Sequence, residues 1–102
     1  ENLVAETKGP GKKLVLKFNK PSEIDHIIIM EDLRKGQKVE AFDIHYLDEN
    51  QKWVLLLQGK TIGHKFIKRI SPVKTNALRF TCIKSNTNNL QIRSFATYYL
   101  NR

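Results

Sequence analysis

The stretch VEAFDIHYLDENQKWVLLLQ, residues 39–58, is the part of the chain that best indicates the fold class. In its first half apolar and polar side chains alternate, so that Phe42 and Ile44 face one side of a strand and His45 faces the other. The letters DENQ then predict a turn, because Asp and Asn tolerate the backbone angles that a tight reversal requires. KWVLLLQ follows as the partner strand, and the whole stretch predicts an antiparallel β-hairpin with one buried face.

The same alternation with a period of two residues recurs along the chain, and no segment has the period of an amphipathic helix. Turn signals occur at NKPS, SPVKTN and NTNN, and the polar segment EDLRKGQ predicts a loop. DHIIIM contains a continuous apolar run, which predicts a strand that is covered on both faces. The predicted strands are residues 13–18, 25–30, 39–47, 52–58, 64–70, 77–85 and 90–100.

These strands predict a single all-β domain of about six to eight strands, either a β-sandwich or a barrel, and a jelly-roll-like β-sandwich is the architecture we expect. Residues 1–12 are expected to form an irregular lead-in. A chain of 102 residues is long enough for one modest core. Trp53 alternates with Leu55 after the hairpin turn, which favours a core position over an exposed sugar platform. The predicted core consists of Leu14, Leu16, Phe18, Ile27, Ile29, Phe42, Ile44, Trp53, Leu55, Phe80 and Ile92.

The chain carries a formal net charge of +8, from 18 Lys and Arg against 10 Asp and Glu. The cations are spread along the sequence without a block of like charges, which favours an ordinary charged surface over a nucleic-acid arm. A basic β-module that binds nucleic acid or acidic polysaccharide is the alternative. No apolar run is long enough to span a membrane. The first residues lack an initiator Met and an apolar signal region, which indicates a processed end or an excised piece of a longer chain.

Several motifs that would indicate an enzyme are incomplete. Gly-Lys-Thr at residues 59–61 resembles the end of a phosphate-binding loop, but the position five residues before its glycine is Val54. Glu31 and Asp32 are neighbours, which point to opposite sides of an extended chain, whereas a glycosidase needs two carboxylates that face one cavity. Cys82 is the one cysteine, and its strand position favours a small buried apolar residue. The sequence therefore predicts no catalytic residue, no metal site and no cofactor.

Two motifs taken together indicate a known family. EDLRKGQKV, residues 31–39, is followed by a Trp and then by GKTIGHK, residues 59–65. This combination resembles the discoidin-like module (coagulation factor 5/8 type C, galactose-binding-like) that follows the catalytic domain in many secreted α-L-fucosidases of glycoside hydrolase family 29. The resemblance covers residues 12–100. The matching positions are Glu31, Asp32, Leu33, Gly36, Gln37, Lys38, Val39, Trp53, Gly59, Thr61, Ile62, Gly63, Lys65, Val73 and Arg79.

The resemblance implies a galactose-binding-like β-sandwich whose opening strands are missing or replaced by ENLVAETKGPG. It implies a non-catalytic accessory module, secreted or periplasmic, that packs on the catalytic domain of a parent glycosidase. It also implies that any binding of a galactose- or fucose-like glycan is weak, with neither nucleic acid nor a membrane as partner. In GKTIG, Gly59 and Gly63 are expected to permit a tight turn, with Ile62 folded onto the core or onto a neighbouring domain.

The candidate ligand-binding residues lie on predicted loops. In sugar-binding relatives an Arg on the loop before the hairpin contacts the sugar, and Arg34 is the matching residue. Gln37 is the side chain nearest to a second sugar-binding position, which is Asn in those relatives. His64, at a position that is often Tyr in the fucosidases, and Asn88 complete the set, with Asn86 and Asn89 as further loop candidates. The alternative for each is an ordinary polar loop residue.

Overall fold

A computed structural model describes residues 2–34 and 38–101 of the chain. The described residues form one antiparallel sheet with the strand order β1-β6-β2-β5-β3-β4. The predicted all-β class is confirmed, and this part of the chain has no helix that could cross a membrane. The strands are β1 (Leu3–Pro10), β2 (Lys13–Glu31), β3 (Val39–Leu47), β4 (Trp53–Gly59), β5 (Phe66–Ser85) and β6 (Gln91–Tyr98).

Two long strands, β2 and β5, curl this sheet into a sandwich. The second half of β2 and the first half of β5 form one layer with β1 and β6, because β6 pairs with residues 26–31 of β2. The first half of β2 and the second half of β5 form the other layer with β3 and β4. Aromatic rings meet between the layers: the centroids of Phe80 and Phe95 lie 6.4 Å apart, and those of Phe42 and Phe66 lie 5.1 Å apart.

The turns predicted at NKPS and SPVKTN are wrong, because both segments are bends inside the long strands. Residues 18–21 of β2 lie opposite Asn76 alone, and residues 70–72 of β5 lie opposite Asp25 alone. Each strand therefore carries extra residues at a different point of the ladder, and such bulges bend a strand. One proline lies in each bulge, at positions 21 and 72, where a residue without an N–H group removes no ladder hydrogen bond.

The irregular lead-in predicted for residues 1–12 is also wrong, since β1 occupies most of it. The strand pairs with β6, with Ala5 opposite Thr97 and Thr7 opposite Phe95. It lies at the edge of the sheet and is mostly exposed or half-buried, so its sequence lacks the regular apolar alternation of an inner strand. For this reason the sequence pattern alone does not predict a strand here.

The core prediction is confirmed for most positions and wrong for two. Phe42, Ile44 and Phe80 are buried with Leu16, Ile27, Ile29 and Ile92, and both Leu14 and Phe18 pack against this cluster. Leu55, in contrast, is 48% exposed, and Trp53 lies half-buried outside the cluster. Ile44 pairs with Leu57 but His45 pairs with Leu55, so β4 contains one extra residue between them. This bulge turns Leu55 and Trp53 to the outer face.

The outward Trp53 stacks on a charged side chain instead of packing into the core. The guanidinium carbon of Arg79 lies 4.7 Å from the centroid of the Trp53 ring. Arg79 pairs with His45 across the β3–β5 ladder, and both residues are half-buried. Arg79 Nε and His45 Nδ1 are buried in the described structure without a hydrogen-bond partner. The outer face of this layer therefore combines the Trp53 ring and Leu55 with the charged Arg79.

The GKTIG segment connects β4 to β5, as the turn prediction required. Gly63 has a φ of 63°, a backbone conformation that glycine adopts at no steric cost, and Ile62 is buried in the core cluster. Gly59 has a different role, because a Cβ at this position would overlap the ring of Phe42. The glycine at the end of β4 therefore makes room for a core aromatic side chain.

We expect Gly59→Ala to lower the free energy of unfolding by about 1–3 kcal/mol, because the added methyl group must displace the buried Phe42 ring. Gly9→Ala is the control, since its Cβ would lie 3.4 Å from the movable Cδ1 of Leu14, and it should change stability by less than about 0.5 kcal/mol. Denaturant unfolding of both variants measures the difference. Equal stability of the two variants would contradict this packing.

Candidate functional site

The loops at one end of the sandwich are held together by backbone hydrogen bonds. The N–H of Asp32 donates to the carbonyl of Gln91 at 2.9 Å, which fixes the start of the EDLRKGQ loop against β6. The N–H of Asn86 donates to the carbonyl of Lys38 at 3.1 Å, and Lys38 Nζ donates to the carbonyl of Asn89 at 3.0 Å. The described residues at the two ends of the EDLRKGQ segment therefore lie beside the predicted NTNN loop and the start of β6.

An open concavity of about 800 Å³ lies at this end of the sheet. Its wall combines the EDLRKGQ loop, the loop between β4 and β5, and the adjoining ends of β1 and β6. None of its described lining residues is Phe, Trp or Tyr. The lining residues are Lys8, Gly9, Glu31, Asp32, Leu33, Arg34, His64, Gln91 and Arg93.

Glu31 holds the two ends of the EDLRKGQ loop together. Its side chain is buried, and Oε2 accepts the N–H of Lys38 at 2.9 Å and the N–H of Val39 at 3.2 Å. Burial raises the pKa of Glu31 above its ordinary value, while the two backbone donors and the charge of Lys38 act in the opposite direction. The carboxylate is therefore committed to the backbone and is not an exposed acid or base.

Asp32 and Arg34 form an ion pair at the mouth of the concavity. Arg34 Nη2 donates to Asp32 Oδ2 at 2.6 Å, and Arg34 Nε donates to both carboxylate oxygens at 3.1 Å. The backbone N–H of Arg34 also donates to Oδ1 at 3.1 Å. These hydrogen bonds lower the pKa of Asp32 from 3.8 to about 2 and raise that of Arg34. Within the described structure these bonds use Nε and Nη2 of the guanidinium and leave Nη1 outside the ion pair.

The predicted ligand-binding residues do not all meet at one place. Arg34 and His64 line the same concavity, although they come from different loops. Asn89 lines a neighbouring concavity that it shares with Arg34. Asn88 is exposed and lines neither, and Gln37 lies outside the described residues. Arg34 and His64 are therefore the two predicted residues that the structure brings into one concavity.

Residues that the sequence did not indicate contribute much of the wall. Lys8 lies on β1, which was not predicted as a strand, and Gln91 and Arg93 lie on β6 next to it. Arg93 Nη2 lies 3.2 Å from the Met30 sulfur, so its head is held against β2. No three His, Cys, Asp or Glu side chains within residues 2–34 and 38–101 are grouped in a way that could hold a metal ion.

Known structures share this fold. The chain aligns over 96% of its length, at 31% identity and a TM-score of 0.89, with a Bacteroides thetaiotaomicron protein assigned as an α-L-fucosidase. A glycoside hydrolase 29 family member from an unknown rumen bacterium aligns over 100% of the chain at 27% identity and a TM-score of 0.79. The chain spans 22% and 19% of these two chains.

A family 32 carbohydrate-binding module from Streptococcus pneumoniae EndoD shares the fold alone. It aligns at 15% identity and a TM-score of 0.73 over 85% of this chain and 68% of that one. No protein-family profile and no curated protein sequence matches the chain. The resemblance is confirmed at the level of fold: the chain has the fold of the discoidin-like, galactose-binding-like β-sandwich, with fucosidases among its structural neighbours.

We expect the carboxyl group of Asp32 to titrate with a pKa of about 2, and its pKa to rise toward 3.8 in Arg34→Ala. Because the folded-state pKa is depressed, the ion pair stabilises the fold above pH 3.8 and this contribution is lost as the pH falls toward 2. NMR titration of the side-chain carboxyl carbon measures both values.

Arg93→Ala is the matched control for this titration, since it removes a second cation from the concavity that is not bonded to Asp32. This variant should leave the pKa of Asp32 at about 2. An Asp32 pKa that is unchanged by Arg34→Ala would contradict the ion pair.

Proposed function

We propose that this chain is a non-catalytic accessory module of a secreted or periplasmic α-L-fucosidase-type glycoside hydrolase, and that it packs on the catalytic domain. The observation that carries the proposal is the 31% identity over 96% of the chain to a protein assigned as an α-L-fucosidase. The two carboxylates that line the concavity, Glu31 and Asp32, are engaged within the described structure, because Glu31 accepts backbone N–H groups and Asp32 accepts hydrogen bonds from Arg34. General acid–base hydrolysis of a glycoside requires two carboxyl groups that face the scissile bond.

The concavity at Arg34 and His64 is the place where this module would contact a glycan. The donors of Arg34 that Asp32 does not use, together with the imidazole of His64, suit the adjacent hydroxyl groups of a galactose- or fucose-like sugar. Among the described lining residues there is no Phe, Trp or Tyr ring to stack on the apolar face of a pyranose. Binding is therefore weak, in the millimolar range, which corresponds to about −4 kcal/mol.

A second candidate ligand is an acidic polysaccharide. The same wall carries the cations Lys8, Arg34 and Arg93, and its carboxylates are engaged by the backbone and by Arg34. The excess of positive charge favours an anionic glycan over a neutral one, and this attraction weakens as salt is added.

We expect NMR titration with fucose and galactose to give saturable shifts in the millimolar range for residues 31–34, His64 and residues 86–91. A neutral control sugar that is neither galactose- nor fucose-like should give no shifts. Arg34→Ala should abolish these shifts. Lys52→Ala, which removes an exposed cation from the hairpin turn at the other end of β3, should leave them unchanged.

The same preparation should release no product from an aryl α-L-fucoside. Micromolar sugar binding, or shifts that survive Arg34→Ala, would contradict the proposed sugar site. Retention on heparin that falls with rising salt and is lost in Arg34→Ala, without shifts from the neutral sugars, would favour the acidic polysaccharide. Turnover of the aryl fucoside by this chain alone would overturn the accessory role.

A further inference from the structure

The outer face of the layer that contains β1 and β6 has an apolar groove. Tyr98 pairs with both Leu3 and His26, and Ile28 pairs with Ile67 in the neighbouring strand, so the groove crosses four adjacent strands. Ile67 is 56% exposed and Leu3 is 43% exposed. The volume of the groove is about 600 Å³, and its lining is Asn2, Leu3, His26, Ile28, Ile67, Tyr98 and Leu100.

The sequence of β2 predicts that this face is covered. A run of consecutive apolar residues is typical of a strand that is buried on both sides, whereas a strand with one solvated face alternates apolar and polar residues. Ile27 and Ile29 are fully buried toward the core. Ile28 points away from the core, where a solvated strand would carry a polar side chain, and it is only half-buried. The strand therefore carries an apolar side chain, Ile28, that the core of this chain does not bury.

Both described ends of the chain are fixed beside this groove. The carbonyl of Asn2 accepts the N–H of Tyr99 at 3.1 Å. The buried carboxylate of Asp25 accepts the N–H groups of Leu100 and Asn101, each at 2.8 Å. Asn2 and Leu100 themselves line the groove. Any polypeptide that precedes or follows the described residues therefore leaves from the groove margin and can fold back onto it with a short connection.

We propose that the groove is the surface on which the catalytic domain of the parent glycosidase docks. This inference rests on the proposed function, since it names the face that an accessory module of that kind uses. In the two glycosidases that the chain matches, about four-fifths of the polypeptide lies outside the matched region, because the chain spans 22% and 19% of them. The groove offers an apolar surface to the domain formed by that additional polypeptide. This surface lies next to both ends of the described chain.

The position of the groove leaves the sugar-binding end of the module accessible. Leu3 and Tyr98 lie at one end of the β1–β6 ladder, and Gly9 and Gln91 lie at the other, beside the concavity. Contacts confined to the groove at the first end leave Arg34 and His64 uncovered, since neither residue lines it.

The test compares two cysteine variants of the full-length protein that carries this chain, in a Cys82→Ala background that removes the native buried thiol. Ile67→Cys places a thiol in the groove, and Ile83→Cys places one on the other layer, where the native residue is 59% exposed. Maleimide labelling is followed peptide by peptide with mass spectrometry. Circular dichroism verifies the fold of each variant.

In the 102-residue chain the two thiols should react at rates within about threefold of each other, since reactivity follows exposure. In the full-length protein, labelling at position 67 should slow by at least about tenfold, while position 83 keeps the rate it has in the isolated chain. Position 67 labelled as fast as in the isolated chain, or position 83 protected in its place, would overturn the docking surface.

Activity of the same full-length protein on an aryl α-L-fucoside separates this inference from the proposed function. Hydrolysis together with an unprotected position 67 would overturn the docking surface and keep the accessory role. Protection of position 67 without glycosidase activity would overturn the proposed function and keep the docking surface. A full-length protein that consists of this chain alone would overturn both.

Discussion

The pairing of β2 with β5 is the constraint on which the rest of the structure depends. Each strand belongs to both layers of the sandwich, so the ladder between them fixes how one layer lies over the other. The bulge in β2 and the bulge in β5 occur at different points, and together they bend the ladder without breaking it. This bend brings Phe80 opposite Phe95 and so creates the core from a single sheet.

The sequence predicts those features that depend on local alternation. β3 has the bounds that its pattern predicts, and the apolar face with Phe42 and Ile44 is buried. The features that it does not predict depend on partner strands. The extra residue in β4 is visible only against the register of β3, and without it the side chain of Leu55 would face the core. Pro21 and Pro72 indicate interruptions, but they do not tell a bend in a strand from a turn.

The candidate site is predictable only in part, for the same reason. The loop with Arg34 is evident from its composition, but the strand that carries Lys8 is recognisable only from its pairing with β6. The ion pair of Arg34 follows from the nearby Asp32, whereas the role of Glu31 depends on its burial at the end of β2. On the outer face of β2 the sequence predicts more than the described chain contains. The apolar run predicts that this face is covered, and no described residue of the chain covers it.

If the β2–β5 ladder joins the two layers into one cooperative unit, neither layer can open without the other. Native-state hydrogen exchange tests this directly, because amides that open only on global unfolding share one free energy of exchange. The amides of residues 14–17 and of residues 26–29 that bond to β5 should exchange with the same free energy, equal to that of global unfolding from denaturant. A lower value for one of the two groups would contradict the account, since the layers would then unfold separately.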